Sequence, residues 1–261
     1  MPEPSLAGKV AIVTGGGRGL GRAMVLGLAR AGVKVLALAA RERDEVDQVA
    51  AASGNVTAMV ADVTREEDCA RAVAAARNLG GLDILVNNAG RGMKYVAETF
   101  MTQPTRFWEA SPEAWKLVID TNVNGPFLMA RAAAPHMIAQ RWGRIINISM
   151  SYETMRRAGF SPYGPSKAAL ESETVIWSQD LFGTGVTVNA LMPGGATLTG
   201  MISKTFPEAQ RKQLLDPDVM VPPLLWLASP RSDGVTGRRF LANRWRGEED
   251  VAAAEEAGWR G

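Results

Sequence analysis

Short apolar runs alternate with longer stretches of helical pattern along most of this chain. Six apolar runs predict buried strands, over residues 10–13, 33–39, 56–60, 83–86, 144–148 and 186–191. Helical patterns cover residues 20–30, 42–53, 66–79, 112–140 and 162–182. Strands that are apolar throughout are typical of parallel sheets covered on both faces, and regular β–α alternation predicts such a sheet. We therefore predict an α/β fold with one doubly wound, mostly parallel sheet and helices on both faces.

The composition agrees with one globular domain and excludes several classes of protein. The chain has 261 residues, of which 46% are hydrophobic and 21% are charged, so a large core is possible. A net charge of +2 gives no general attraction to nucleic acid or to anionic membranes. One cysteine and one histidine exclude a disulfide framework within the chain and a His-rich or multi-cysteine metal site.

The termini and the hydropathy pattern suggest where the protein works. The first residues lack the apolar core of a signal peptide, and no apolar run of about 18 residues predicts a membrane span. We expect a cytoplasmic protein. The domain core is predicted over about 6–241, with a more polar extension over about 244–261.

A glycine-rich loop joins the first predicted strand to the first predicted helix. It reads Thr14-Gly-Gly-Gly-Arg-Gly-Leu-Gly21, with glycines at 15, 19 and 21 in particular. Small residues let the backbone approach a pyrophosphate, and the helix N-terminus offers unpaired N–H groups and a partial positive charge. A tight glycine turn without a ligand is the alternative. The Gly-Lys-Ser/Thr ending of a P-loop is missing here.

The spacing of this loop resembles the cofactor loop of the short-chain dehydrogenase/reductase family, classical type. Three further motifs agree in order and spacing: Asn87-Asn-Ala-Gly90 after the fourth strand, Tyr163-Gly-Pro-Ser-Lys167, and Pro193-Gly194 after the sixth strand. The resemblance covers about Leu6 to Leu241. It implies a Rossmann-type fold with a sheet of about seven strands, an NAD(P) cofactor, hydride transfer between a ketone or aldehyde and an alcohol, and a homo-oligomer, dimer or tetramer.

The resemblance also assigns residues to the cofactor. They are Gly15, Arg18, Gly19, Leu20, Gly21, Arg41, Asp62, Val63, Asn88, Ala89, Gly90, Tyr163, Lys167, Pro193, Gly194 and Thr197. Asp62 corresponds to an aspartate that contacts the adenine. A cap for the helix that follows is the alternative role, and the two roles are compatible.

Tyr163 and Lys167 are the candidate reactive pair. Four residues apart on a helix, they share one face, and Ser161-Pro162 before them suits an N-cap followed by proline. A phenol is a poor base at neutral pH, but a neighbouring ammonium stabilises the phenolate and lowers its pKa. Tyr163 is then expected to act as general acid/base. A surface tyrosine and lysine without a role is the alternative.

Two further catalytic residues follow from the resemblance. Asn122, with Asn124 as the competing register, corresponds to an asparagine that holds a water beside the lysine. Counting thirteen residues back from Tyr163 to the usual serine reaches Met150, flanked by Ser149 and Ser151. We favour Ser151, because a loop before Tyr163 that is one residue shorter than usual would bring Ser151 to the position of the family's serine. We expect the Ser149 hydroxyl to bond a backbone group. Ser149 as the catalytic serine, or neither serine, remains open.

The end of the second strand favours NADP(H) over NAD(H). An NAD site usually offers an acid to the ribose 2′-hydroxyl, whereas the sequence here is Leu38-Ala-Ala-Arg41. A guanidinium can hold a 2′-phosphate through two hydrogen bonds, with Arg18 as a second contact. NAD(H) is possible if Glu42 or Asp44 serves the ribose.

Some segments depart from the family or stand outside its motifs. The loop between Gly90 and Pro112 is long and carries four aromatic residues, which line an apolar substrate pocket, pack on one another or form a subunit contact: Tyr95, Phe100, Phe107 and Trp108. A second loop over about 197–220 brings three apolar residues, Met201, Ile202 and Phe206. Asn243-Arg-Trp245 replaces the family's usual ending. His136 and Cys69 are interpreted as structural residues.

Three other functions compete with the leading hypothesis. The chain could be an NAD-dependent alcohol dehydrogenase of the same fold, or a dinucleotide-binding regulator without turnover. It could also be a nucleotide-binding enzyme of another chemistry, such as a methyl transferase, which has no evident use for Tyr-x-x-x-Lys. The presence of both Tyr163 and Lys167 argues against the regulator. The expected partner is a small carbonyl or alcohol compound, with no metal.

Overall fold

A computed structural model describes residues 6–200, 202 and 208–257, without the side chains of 209 and 210. The eight strands are β1 (Val10–Thr14), β2 (Lys34–Ala39), β3 (Val56–Val60), β4 (Ile84–Asn87), β5 (Gly143–Ile148), β6 (Val186–Met192), β7 (Arg238–Leu241) and β8 (Glu255–Glu256). The helices are α1 (Gly19–Arg30), α2 (Arg43–Ala51), α3 (Glu66–Asn78), α4 (Pro112–Ile119), α5 (Gly125–Ala139), α6 (Tyr152–Met155), α7 (Tyr163–Asp180), α8 (Glu208–Arg211) and α9 (Val221–Leu227).

The strands form one sheet with the order β3-β2-β1-β4-β5-β6-β7-β8. The first seven strands are parallel, and β8 pairs antiparallel with β7. The predicted doubly wound fold is confirmed, with eight strands among the described residues where about seven were expected. The strand order reverses beside β1, and open α/β sheets bind ligands in the crevice at such a point.

Alternate residues of each central strand enter different halves of the core, as the two-residue period of a strand requires. On one face, Ala11 and Val13 of β1 pack with α1 and α9. On the other face, Val10 and Ile12 pack with α3 and α5. These residues are fully buried, so each face of β1 needs an apolar cover.

The single long helix predicted over 112–140 is divided in the structure. Ser111 caps α4 by accepting a hydrogen bond from the Ala114 amide at 3.1 Å. A π-helical segment, Asp120–Asn124, follows α4 and leads directly into α5. A π segment widens one turn, and here it carries Asn122.

Helix α7 begins differently from the prediction. Its first helical residue is Tyr163, Pro162 occupies the cap position, and no side chain caps the helix, so the predicted Ser161 cap is wrong. The hydroxyl of Ser166 instead bonds the Tyr163 carbonyl at 2.7 Å inside the first turn.

The polar extension predicted over about 244–261 does not leave the domain in its described part. Trp245 packs against Trp226 of α9, with ring centroids 5.3 Å apart, and against Phe240 of β7. Glu255–Glu256 then forms β8 at the edge of the sheet. Aromatic burial and strand pairing therefore fold this segment back, and residues 258–261 lie outside the described part.

His136 and Cys69 both have structural partners. The Leu82 amide donates to Nε2 of His136 at 3.2 Å. Cys69 is buried, and that burial raises its thiol pKa to about 12, so it is no nucleophile at neutral pH. Across the described ranges, no helix has the length and apolar character needed to cross a membrane. The same residues contain no group of three or more His, Cys, Asp or Glu that could hold a metal ion.

Candidate active site

The glycine loop forms a close-packed turn between β1 and α1. Gly15 has φ +64°, a left-handed conformation that favours glycine, and a Cβ there would lie 3.0 Å from the Cα of Ala89. A Cβ on Gly21 would overlap the Gly15 carbonyl. The loop therefore needs glycine at both positions to leave its backbone and the start of α1 open to a phosphate.

Asn88 and Thr14 hold this loop against the end of β4. The Asn88 side-chain amide donates to the carbonyls of Thr14 and Gly15, at 2.9 and 3.1 Å. The Thr14 hydroxyl accepts from the backbone amides of Asn88 and Ala89, both at 2.9 Å. The Asn88 amide is thus used to support the loop.

One cleft gathers most of the predicted cofactor residues at the carboxyl edge of the sheet. Eleven of them line it: Gly15, Arg18, Gly19, Leu20, Gly21, Arg41, Asp62, Val63, Asn88, Ala89 and Gly90. They come from the ends of β1, β2, β3 and β4, which the sheet order places side by side. The remaining five, Tyr163, Lys167, Pro193, Gly194 and Thr197, are not in its wall.

Three charged residues of the cleft differ in whether their side chains already have ion-pair or hydrogen-bond partners. Arg18 forms an ion pair with Glu45 at 3.1 Å, so its charge is partly compensated. Arg41 is exposed and has no carboxylate partner among the described residues. Asp62 accepts from the amide and hydroxyl of Thr64, at 3.0 and 2.8 Å, and Arg65 rather than Asp62 precedes α3. The alternative role of Asp62 as a helix cap is therefore wrong.

Asn122 links the cleft to the turn that carries the reactive pair. It is fully buried, accepts from the Arg91 amide at 2.7 Å and donates to the Arg91 carbonyl at 3.0 Å. Its amide also donates to the Ser166 hydroxyl at 2.9 Å, within the first turn of α7. Asn124 is exposed, and its side-chain amide donates to Asp120 within the same segment. The geometry favours the Asn122 register.

Lys167 and Tyr163 lie on the buried side of α7. The ammonium of Lys167 donates to the Ile148 carbonyl, at the end of β5, at 2.7 Å. Burial lowers its pKa to about 8, and the charge of Glu171 acts against that shift. Burial raises the pKa of Tyr163 to about 12. Desolvation of the phenolate is the cause of this rise, so the expected lowering of the Tyr163 pKa is not seen for the chain without its cofactor.

The two serines after β5 have different surroundings. Ser149 is buried, and its hydroxyl donates to the Glu171 carboxylate at 2.6 Å, so the predicted backbone partner is wrong. Ser151 is half-buried at the start of α6, where its hydroxyl lies 3.0 Å from that of Thr154. Ser151 thus keeps more access to the exterior than Ser149 does.

The turn after β6 packs against the chain's unusual ending. The Asn243 amide donates to the Pro193 carbonyl at 3.1 Å, and its side chain donates to the Gly194 carbonyl at 3.2 Å. Gly194 has φ +85°, and a Cβ there would overlap the Asn243 side chain. The buried hydroxyl of Thr197 bonds Gly195.

The aromatic residues of the long loop separate into two groups. Tyr95 lines the cleft. Phe100 packs on Phe160 with ring centroids 6.0 Å apart, and Phe107 packs on Trp108 at 5.1 Å while both stay 68% exposed. The loop therefore contributes one aromatic to the cleft and otherwise packs locally. Of the second loop's apolar residues, Met201 and Phe206 lie outside the described part.

The structure adds wall residues that the sequence analysis did not assign. Arg91 and Lys94 line the cleft with Tyr95, their charged ends 4.5 and 5.3 Å from its ring. Thr199 approaches Gly19 from the second loop. Their only sequence signal was proximity to the motifs at 87–90 and 193–194.

Comparison with known proteins agrees with this geometry. The model of the family described as short chain dehydrogenase matches residues 9–210. A 3-oxoacyl-[acyl-carrier-protein] reductase FabG from Vibrio cholerae is 31% identical over 249 residues, covering 92% of this chain and 97% of the relative.

Two solved structures are similar over nearly the whole chain. A 3-ketoacyl-(acyl-carrier-protein) reductase from Brucella melitensis, complexed with NADH, superposes with a TM-score of 0.80 at 30% identity, covering 91% of this chain and 97% of that one. A protein described as a NAD(P)-dependent gluconate 5-dehydrogenase from Beutenbergia cavernae, with NADP at low occupancy, gives 0.78 at 30% identity, covering 91% and 96%.

The chain therefore belongs to the short-chain dehydrogenase family. It is an oxidoreductase of that family, acting on CH–OH and C=O groups with NAD(P).

Proposed function

We propose that this protein is an NADP(H)-dependent oxidoreductase that interconverts a ketone or aldehyde and an alcohol, with Tyr163 as general acid/base. The observation that carries the proposal is the joining of two sites by one buried residue. Asn122 bonds both Arg91, in the wall of the dinucleotide cleft, and Ser166, inside the Tyr163–Lys167 turn. A hydride carrier and a proton carrier must be neighbours for this reaction.

The residues present fit a dinucleotide. The glycine loop is a cradle that a Cβ at position 15 or 21 would fill, and the amides at the start of α1 suit a pyrophosphate. We assign the phosphates to this loop and the ribose and adenine to the ends of β2 and β3, at Arg41, Asp62 and Val63. When bound, the nicotinamide would supply the hydride in reduction and accept it in oxidation.

The chain's own groups would then move and hold the proton. Tyr163 gives its hydroxyl proton to the carbonyl oxygen in reduction and takes it back in oxidation. The ammonium of Lys167 favours the phenolate between these steps. Ser151 donates a hydrogen bond to the substrate oxygen, and Asn122 fixes the turn that carries the pair.

Replacing Tyr163 with Phe tests the proton transfer, because it removes only the hydroxyl. We expect turnover in a screen of carbonyl compounds with NADPH, followed at 340 nm, to fall by ~10²–10⁴. NADPH affinity, measured by fluorescence titration, should stay within about twofold, since the cleft wall is unchanged. Near-wild-type turnover by Tyr163→Phe would exclude this mechanism.

Arg41 supports the choice of NADP(H), because it lines the cleft as a guanidinium without a described carboxylate partner. Arg41→Ala should weaken NADPH binding by roughly tenfold or more and leave NADH binding almost unchanged. Arg43→Ala is the matched control, since Arg43 is exposed, pairs with Asp47 and is not in the cleft wall. Equal loss for both dinucleotides, or no loss for NADPH, would refute the preference.

An NAD-dependent alcohol dehydrogenase of the same fold is the second candidate. Glu42 lines the cleft directly after Arg41, where a carboxylate can accept from a ribose 2′-hydroxyl. Tighter binding of NADH than of NADPH by the wild-type chain would favour this function. A non-catalytic regulator would bind the dinucleotide and show no turnover with any carbonyl compound.

We propose a small carbonyl compound as the substrate, because the wall of the cleft offers one aromatic ring, Tyr95, beside Arg91. We also propose a homo-oligomer that forms through the outer faces of α4, α5 and α7.

A further inference from the structure

Three buried polar side chains and one half-buried tyrosine form a compact group behind the candidate active site, which we call the Glu171 cluster. Its members are Ser149, Tyr152, Glu171 and Arg239. Arg239 Nη2 lies 3.2 Å from Glu171 Oε1, and the two side chains are only 4% and 1% exposed. Transferring two charges from water into the protein interior costs free energy that their attraction barely offsets. The pair therefore adds little to the stability of the fold, and its presence needs another explanation.

Glu171 and Arg239 of the cluster contact three residues of the segment that follows β5. Ser149 donates to the Glu171 carboxylate at 2.6 Å, and the Met150 carbonyl accepts from Arg239 Nη2 at 3.1 Å. The guanidinium lies 3.6 Å from the ring centroid of Tyr152, whose hydroxyl also bonds Glu171. Three of four consecutive residues are thus held from one side.

The same segment meets the reactive groups. Ile148, which precedes it, accepts the hydrogen bond of the Lys167 ammonium. Ser151 lies between Met150 and Tyr152, which both contact Arg239. Glu171 follows Lys167 by four residues on α7, so the carboxylate and the ammonium lie on one face of that helix.

We propose that the Glu171–Arg239 pair is a positioning element, which fixes residues 148–152 against α7 and thereby places the Lys167 ammonium and the Ser151 hydroxyl. This inference rests on the proposed function for the roles of Lys167 and Ser151. The contacts that it invokes are independent of those roles. The Glu171 charge has a second consequence. Burial lowers the pKa of Lys167, and the negative charge of Glu171 acts against this by favouring the ammonium form.

A second buried arginine provides a matched control. Arg144 is 1% exposed at the start of β5, where it bonds the Ser229 carbonyl and pairs with Asp233. It lies at the opposite end of β5 from the Glu171 cluster. Replacing Arg144 therefore also removes a buried guanidinium, but it removes no contact to residues 148–152.

The test is hydrogen exchange with mass spectrometry on the full chain, read for a peptide covering residues 149–158. Arg239→Met should speed exchange of that peptide by roughly tenfold or more, and Arg239→Lys, which keeps one donor, should speed it less. Arg144→Met should leave the peptide at the wild-type rate. If Arg239→Met does not fold, the double variant Arg239→Met, Glu171→Met removes both charges and takes its place.

A second measurement follows Lys167 itself, through the pH dependence of its acetylation by acetic anhydride. Glu171→Gln keeps the acceptor but removes the charge, so the pKa of Lys167 should fall further. Unchanged exchange in the Arg239 variants, equal acceleration in Arg144→Met, or an unchanged Lys167 titration would overturn the proposal. Neither measurement uses turnover, so failure of the enzyme to reduce any carbonyl compound would count against the proposed function alone.

Discussion

Ser149 and Ser151 show how two identical side chains near one site acquire different uses. Backbone pairing continues one residue beyond β5, where the Ser149 amide donates to the Leu191 carbonyl at 2.9 Å. Ser149 therefore points its hydroxyl at buried Glu171. Ser151 comes after the strand has ended, and its hydroxyl occupies the N-terminus of α6.

Ser151→Ala should lower turnover by about 10²-fold, because it removes a hydrogen bond to the oxygen that gains charge in reduction. Cofactor affinity should change little. Ser149→Ala should instead destabilise the fold by about 1–3 kcal/mol, since buried Glu171 loses a donor. Steady-state kinetics and urea unfolding of both variants separate these effects, and full activity in Ser151→Ala with loss in Ser149→Ala would reverse the assignment.

At the scale of elements, spacing predicted the parts of the site that depend on local sequence. The glycine loop, the Asn87–Gly90 turn and the Tyr163–Lys167 helix all lie where their motifs placed them. The sequence analysis predicted one continuous helix over 112–140 and missed the π segment, which is one widened turn made mostly of polar residues. Its buried residue Asn122 is held by Arg91, 31 positions away in the chain.

Helix α7 also carries a carboxylate that the proposed chemistry does not use. Glu173 is half-buried, and its Oε2 has no hydrogen-bond partner among the described residues. Burial raises its pKa to about 7, from an ordinary value of 4.5. The folded state therefore holds this proton where the unfolded state has released it, and stability falls as the pH rises from about 4.5 to 7.

Glu173→Gln should remove that penalty. We expect the variant to exceed the wild type in free energy of unfolding by about 1–2 kcal/mol at pH 8, and by clearly less at pH 5. Urea unfolding at both pH values measures the difference. Asp180→Asn, an exposed position at the end of the same helix, is the control and should show little pH-dependent gain. An equal effect of Glu173→Gln at both pH values would contradict the argument.

At the scale of the whole molecule, the C-terminal segment closes one edge of the sheet. Sequence reasoning missed β8 because two adjacent glutamates have little intrinsic preference for a strand. Pairing with β7 and the approach of Glu255 to Arg239, at 3.6 Å, place them there. This edge is thereby covered by charged residues, which disfavours strand pairing with another chain.

In contrast to that charged edge, helices α4, α5 and α7 expose several apolar side chains. Exposed apolar side chains project from α4, α5 and α7 and just beyond α7: Trp115, Phe127, Ile138, Ile176 and Phe182. Single exposed apolar residues are ordinary, but α4 packs beside α7, so this set covers adjoining elements. Homo-oligomers commonly form by pairing one such surface with its copy.

We expect the wild-type chain to sediment at micromolar concentration as a species larger than its 27.9 kDa monomer. Ile176 is 52% exposed on α7, and Ile176→Glu would bury a charge in the paired surface, so this variant should sediment as the monomer. Phe107→Glu is the matched control, because Phe107 is even more exposed but lies in the long loop rather than on these helices. It should keep the wild-type assembly. A monomeric wild type, or dissociation by Phe107→Glu with an intact Ile176→Glu assembly, would show that the helix faces do not hold the subunits together.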